Sequence, residues 1–354
     1  MAKTLYANIK MEYRSLQSKE VDSMKKIIND PAHVISEMLD GMTKTYPQLI
    51  KRIPNTNVII RSDLDSMKDK VAIISGGGSG HEPAHAGFVG LGMLSAAIAG
   101  QVFTSPTPDQ IYEAIKATNQ GKGVFLIIKN YSGDVMNFEM AKDLAIADGI
   151  NVQSIIVDDD IAVENSTYTQ GKRGVAGTIF MHKILGAAAS LGASLDEITQ
   201  LSQEILPYIK TISFALNAAT VPEVGKPGFE LKDDEIEFGV GIHSEPGAYR
   251  EKLKSSHDLA QELLDKIDHQ MNLSSTHQYA ILINGLGATP LMEQYIFAND
   301  VYQLLQDKKI IPQFSKVGNY MTSIDMAGLS LTLLEIKDKQ WLDYLNYPVK
   351  TIAW

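Results

Sequence analysis

Short β-branched runs interleaved with helix-patterned segments predict an α/β chain of two domains, with mainly parallel or mixed sheets covered by helices. Val71–Ser75, Val124–Lys129 and Val152–Val157 are continuously apolar rather than alternating, as strands covered on both faces are. Helical patterns near 109–118, 135–147 and 176–191 fall between or after them. Further on, Ile236, Phe238, Val240 and Ile242 alternate with Glu235, Glu237, Gly239 and Gly241, a strand with one buried face ending at Ile242.

Taken in order, residues 1–23 mix Lys, Glu and Arg with no central apolar region, so they form a peripheral extension and not a secretory signal. Met24 is a candidate physiological start. The first α/β domain is expected over 24–208, closing with a helix around 195–209. The second is expected over 209–354, with strands at Tyr279–Asn284 and Leu329–Ile336 and a helix near 291–307 between them. At 354 residues the chain is long enough for two cores.

Charge and composition narrow the function. A formal charge of -10 without an offsetting basic cluster argues against direct nucleic-acid or membrane-surface binding. The absence of cysteine excludes disulfides, thiol catalysis and cysteine-held metals, and is compatible with a reducing cytoplasm. No apolar stretch reaches membrane-spanning length.

The most informative segment is Val71-Ala-Ile-Ile-Ser-Gly-Gly-Gly-Ser-Gly-His-Glu-Pro83, a strand emptying into a glycine turn and then a histidine at the expected mouth of a helix. Gly76, Gly77, Gly78 and Gly80 allow close approach of main-chain N–H groups to a small ligand. A phosphate loop would need Lys where His81 stands, and a dinucleotide fingerprint would need Gly there. His81-Glu82-Pro83-Ala84-His85 matches H-E-x-x-H, but four preceding glycines and Pro83 conflict with the continuous helix that zinc motif needs.

Ligands in open α/β sheets gather at the carboxyl ends of strands, which places Gly76–His81, Asn130–Asp134 and Asp158–Asp160 together. Asp134 could serve as an N-cap for the helix that follows, or, with Lys129 and His81, form an acid–base cluster. Phe103-Thr-Ser-Pro-Thr-Pro108 reads mostly as a helix cap, with Ser105 its best candidate for ligand contact. His243, in Gly241-Ile-His-Ser-Glu-Pro-Gly247, is a second histidine at a strand end among glycines. Alone it would read as a hydrogen-bonded structural residue; together with His81 it reads as chemistry.

From Met24 onward the chain resembles the substrate-binding subunit of bacterial dihydroxyacetone kinases. The resemblance rests on Gly76–Pro83, Phe103–Pro108, Leu126–Asp134, Gly239–Gly247 and Gly287-Ala-Thr-Pro290. It implies that His243 adds to the ketone of dihydroxyacetone and holds it as a hemiaminal, and that His81 and Asp134 do the acid–base work. It also implies substrate contacts from Gly78, Ser79, Gly80, His81, Lys129, Asp134 and His243, beside the Ser105 candidate above. Neutral imidazole is the nucleophile, so addition is expected to fail below roughly pH 6.

No nucleotide motif is present, so the resemblance points to the multicomponent, phosphoenolpyruvate-dependent kinase. In it this chain carries no cofactor or metal, a partner subunit holds ADP with magnesium, and a further subunit returns the phosphoryl group. Alone the chain would be inert. A homodimer in the cytoplasm is implied.

Four positions depart from the family pattern: Ser244 for glycine, Ala219 for cysteine, Ser213-Phe214 for a smaller pair and Ser132 for threonine. Ser244 is expected to narrow the opening through which the partner's phosphate enters. That expectation supports a second reading, a paralogous dihydroxyacetone sensor acting as coactivator with a DNA-binding regulator. A binder of other short sugars with neither output is the blandest third reading.

Overall fold

The computed structural model describes residues 25–164 and 169–354, and the expected extension 1–23 with Met24 lies outside them. The chain forms two six-stranded mixed sheets with helices around them. Strands β1 (Ile50–Arg52), β2 (Val58–Arg61), β3 (Ala72–Ser79), β4 (Ala96–Val102), β5 (Val124–Lys129) and β6 (Val152–Val157) make the first, in the order β1-β2-β4-β3-β5-β6. Here β4, β3, β5 and β6 run parallel, and β1 and β2 extend the edge antiparallel. The covering helices are α1 (Val34–Thr45), α2 (Pro108–Thr118), α3 (Ser132–Ala147), α4 (Thr178–Ser190) and α5 (Leu195–Ile205).

The second sheet joins β7 (Ile209–Ala215), β8 (Glu235–Phe238), β9 (Tyr249–Lys252), β10 (Gln278–Gly285), β11 (Phe314–Gly318) and β12 (Gly328–Ile336) in the order β11-β10-β12-β7-β8-β9. Only the β10–β11 pair is parallel. Helices α6 (Ser256–Met271), α7 (Leu291–Asp307) and α8 (Lys339–Asn346) accompany it. This sheet is mainly antiparallel, which its alternating β8 pattern is consistent with.

Helix α4 is buried at all of its residues, which explains why its sequence is apolar on every side. It belongs to a core that also includes Ile73 and Phe125 of the first sheet and Ala280, Leu282 and Leu334 of the second. The two sheets therefore share a packed apolar interior. Trimming one such side chain to Ala would cost about 2–5 kcal/mol.

Several boundaries differ from expectation for local reasons. The helix expected to 209 ends at Ile205, because Pro207 admits only the short 3-10 turn Leu206–Tyr208 before β7 begins. The strand expected to Ile242 stops at Phe238, since Gly239 takes φ +70° and leaves the pleat. No helix opens at His81: residues 81–85 form a turn, followed by a 3-10 turn at Ala86–Phe88. The histidines of the H-E-x-x-H pattern are therefore not stacked on a helix face. Strand β4 escapes the hydrophobic pattern because Ala96-Ala-Ile-Ala-Gly100 has weak strand propensity and is held by pairing on both sides.

Candidate active site

The chain leaves β3 toward β4 on one side and β5 toward β6 on the other, which opens a crevice at their carboxyl ends. Glycines shape its first wall. A Cβ at Gly78 would lie 2.6 Å from Thr104 N and 2.7 Å from Phe103 C, so only glycine lets β3 run against the turn that carries Ser105. Gly80, at φ +101°, then turns the chain into His81.

His81 and His243 are 162 residues apart in sequence and meet here, Nε2 to Nε2 at 3.2 Å. His81 Nδ1 lies 2.8 Å from the carbonyl oxygen of Thr322. A carbonyl only accepts, so Nδ1 carries the proton and neutral His81 presents a lone pair at Nε2. The proton between the two rings therefore sits on His243 Nε2. Phe103 stacks on His81 with centroids 5.3 Å apart, and the Tyr131 ring stands edge-on to His243 at 4.3 Å. Both imidazoles are neutral at pH 7. Burial, and then the nearby Lys129 ammonium, push His81 down to about 3. Burial, then His81, Lys129 and Arg173, hold His243 well below the usual histidine range.

Across the crevice, Asp134 accepts from Lys129 Nζ at 3.0 Å and from the Ser105 hydroxyl. Lys129 and Asp134 are 0 % and 2 % exposed at their side chains. Helix α3 begins at Ser132 and its N-cap is Tyr131, which makes no side-chain capping bond, so the capping role open to Asp134 is not the one it takes. Gly78, Ser105, Tyr131, Asp134, Asn137 and His243 line one cavity of about 520 Å³.

The residues singled out from sequence thus divide into three groups. Gly78, Ser105, Asp134 and His243 line the cavity; His81 and Lys129 are fully buried behind its wall. Ser79 and Gly80 line a different cavity, and the Ser79 hydroxyl donates to the Gly100 carbonyl at 2.7 Å. Tyr131, Phe103 and Glu245 lie inside the motifs that carry the resemblance, but nothing in their local sequence marks them as part of the site. Glu245 Oε2 accepts the His243 main-chain N–H at 2.8 Å. Thr322 and Arg173 carry no local signal, since their partners are distant in sequence.

Ser244 does not narrow the opening. It sits at φ +61°, where glycine is favoured, and its hydroxyl is 3.1 Å from both the N–H and the carbonyl oxygen of Ala219. It is 6 % exposed and absent from the cavity wall. Two of the four departures are thereby joined in one contact turned away from the cavity, and this support for a sensor falls.

A family model described as the Dak1 domain matches residues 40–353. The chain is 63% identical over 332 residues to the "PTS-dependent dihydroxyacetone kinase, dihydroxyacetone-binding subunit DhaK" of Lactococcus lactis, covering 94% of this chain and 99% of that one. It is 46% identical to the "DhaKLM operon coactivator DhaQ" of the same organism, covering 93% and 100%. A solved structure titled "Dihydroxyacetone kinase operon co-activator Dha-DhaQ" superimposes with a TM-score of 0.85, covering 90% of this chain and 97% of that one at 46% identity.

Proposed function

Because the chain belongs to the Dak1 domain family, we propose that it is the dihydroxyacetone-binding subunit of a phosphoenolpyruvate-dependent dihydroxyacetone kinase. The observation that carries this reading is the 3.2 Å contact between two neutral imidazoles, with His243 on the cavity wall and His81 buried behind it. In our reading, the unprotonated ring nitrogen of His243 adds to the ketone carbon as the ring's N–H bond breaks, and the carbonyl oxygen gains a proton. His81 Nε2 relays that proton and does not keep it, since its burial disfavours the imidazolium. The sum is addition of N–H across C=O. Glycerol has no carbonyl and is not trapped.

Asp134, opposite His243, then accepts the proton of the terminal hydroxyl as it attacks the incoming phosphoryl group. Its bond from Ser105 and its pairing with Lys129 support that orientation. His81 remains the other candidate base. The cavity of about 520 Å³ exceeds a triose several-fold and leaves space for a donor group. We assign ADP and magnesium to a partner subunit, which makes this chain inert on its own, and we retain the homodimer and a domain boundary near 208 as parts of the proposal.

A coactivator that binds the same ketone is the second reading, supported by the 46% identity to DhaQ. Two measurements test these readings. Intact-mass spectrometry after incubation with dihydroxyacetone should show a triose-sized adduct that His243→Ala abolishes; an adduct surviving that substitution overturns the mechanism. Adding the nucleotide-loaded partner and phosphodonor proteins should then yield dihydroxyacetone phosphate. Full adduct without product favours the coactivator.

A further inference from the structure

The turn that carries His243 is fastened to the first sheet by a buried arginine fork. Glu245 accepts the His243 main-chain N–H on Oε2 and places Oε1 3.3 Å from Arg173 Nη1. Arg173 donates Nε to Asp160 Oδ2 at 2.7 Å, and its Nη2 donates to the carbonyl oxygen of Gly239 at 2.6 Å. Asp160 stands just beyond β6 and bridges Thr211 of β7. The fork therefore grips both ends of the Gly239–Glu245 turn from the edge of the other sheet. Arg173, Asp160 and Glu245 are 1 %, 1 % and 7 % exposed.

Stability alone is a weak explanation for such a cluster, because buried ion pairs are often matched or bettered by apolar packing. What it supplies is placement: a displacement of about 1 Å at a reacting group costs on the order of 100-fold in rate. The His243 ring already has His81 and Tyr131 at its edges, so its remaining freedom is that of its own main chain, which Glu245 holds.

We propose that Arg173 and Glu245 are positioning residues for the carbonyl addition, setting the His243 imidazole against His81 and the cavity. The proposal rests on His243 being the nucleophile. Arg173 also faces His243 as a charge, beside Lys129, His81, Tyr131 and Glu245, and helps keep the imidazole unprotonated.

The test uses the full chain with dihydroxyacetone and follows adduct mass against time. Glu245→Gln keeps an acceptor for the His243 N–H but discharges the fork. The triple variant Arg173→Met with Glu245→Gln and Asp160→Asn removes the arginine and both carboxylates it pairs with, so no charge of the fork is stranded if the single variant folds poorly. We expect adduct formation 10- to 100-fold slower in both, with the final extent preserved and partial recovery when Arg173 is replaced by Lys with Glu245 intact. Folded variants reacting at the wild-type rate overturn the proposal alone. A wild-type chain that forms no adduct removes the parent reading and this one with it.

Discussion

Replacing Asp134 with Asn separates what the buried ion pair does for stability from what it does for chemistry. At 3.0 Å and an effective dielectric of about 20, the attraction between Lys129 and Asp134 is about 5.5 kcal/mol. Removing the carboxylate strands an ammonium with no exposed surface, and breaking such pairs costs about 3–5 kcal/mol. With about 2.1 cal/mol/K of unfolding entropy per residue, a 354-residue chain has about 0.74 kcal/mol/K, so the melting temperature should fall about 4–7 °C. The double variant Lys129→Met with Asp134→Leu leaves no stranded charge and should regain most of that loss. Turnover with the partner proteins should drop about 10²–10⁴-fold in both variants, because the proton acceptor is gone. Adduct on His243 should persist in the double variant. Melting followed by circular dichroism, intact mass and the coupled assay read the three quantities separately. An Asp134→Asn variant that melts with the wild type, or a double variant that melts no higher than the single one, refutes the stranded-charge argument.

Adduct formation should continue well below the pH of roughly 6 expected from an ordinary histidine, because the His243 nucleophile stays neutral as the solution acidifies; a pH–rate profile with its midpoint near 6.5 would contradict this. The same burial makes the fold acid-sensitive. His81 and His182, both pushed to about 3, bind fewer protons folded than unfolded, so their stability contribution is present above 6.5 and falls by about 1.4 kcal/mol per pH unit each below it. Asp160, raised to about 6, returns about 1 kcal/mol between pH 6 and 5. The net of these three from pH 6.5 to 5 is a loss of about 2 kcal/mol, or about 3 °C by the same unfolding entropy. His85 and His243 deepen the loss, and Glu82 and Asp159 oppose it. An unchanged or higher melting temperature at pH 5 would show the sum to be wrong. Ser244→Gly relieves about 1 kcal/mol of left-handed strain and gives up hydroxyl bonds to Ala219 of similar worth. Stability should change by less than about 1 kcal/mol and adduct rate not at all, and a faster reaction would mean that Ser244 does obstruct the cavity.

Local features of the sequence were enough for much of the scaffold. Continuous apolar runs marked β3, β5 and β6, and helical periodicity placed α2, α3, α4 and α7 to within a few residues. The glycine turn and the rule of strand carboxyl ends brought Gly78, Asp134 and His81 into one neighbourhood, and the Phe103–Pro108 segment offered Ser105. Strands β1, β2, β4, β7, β9 and β11 and helices α1, α6 and α8 were not legible in the sequence. For β4 the residues are small, and β9 and β11 alternate weakly at sheet edges where pairing decides.

Periodicity, chain stiffness and turn chemistry act over a few residues, so the sequence by itself determined where the continuously apolar strands and the periodic helices form and which loops carry reactive side chains. What those side chains touch depended on tertiary structure. The proton on His81 is assigned by a carbonyl 241 residues away, Asp134 became an ion-pair partner and not a cap, and Ser244 turned toward Ala219 and not toward the cavity. Hydrogen bonds and ion pairs fall off within a few ångströms, and only the packing of two sheets about α4 brings such distant atoms inside that range.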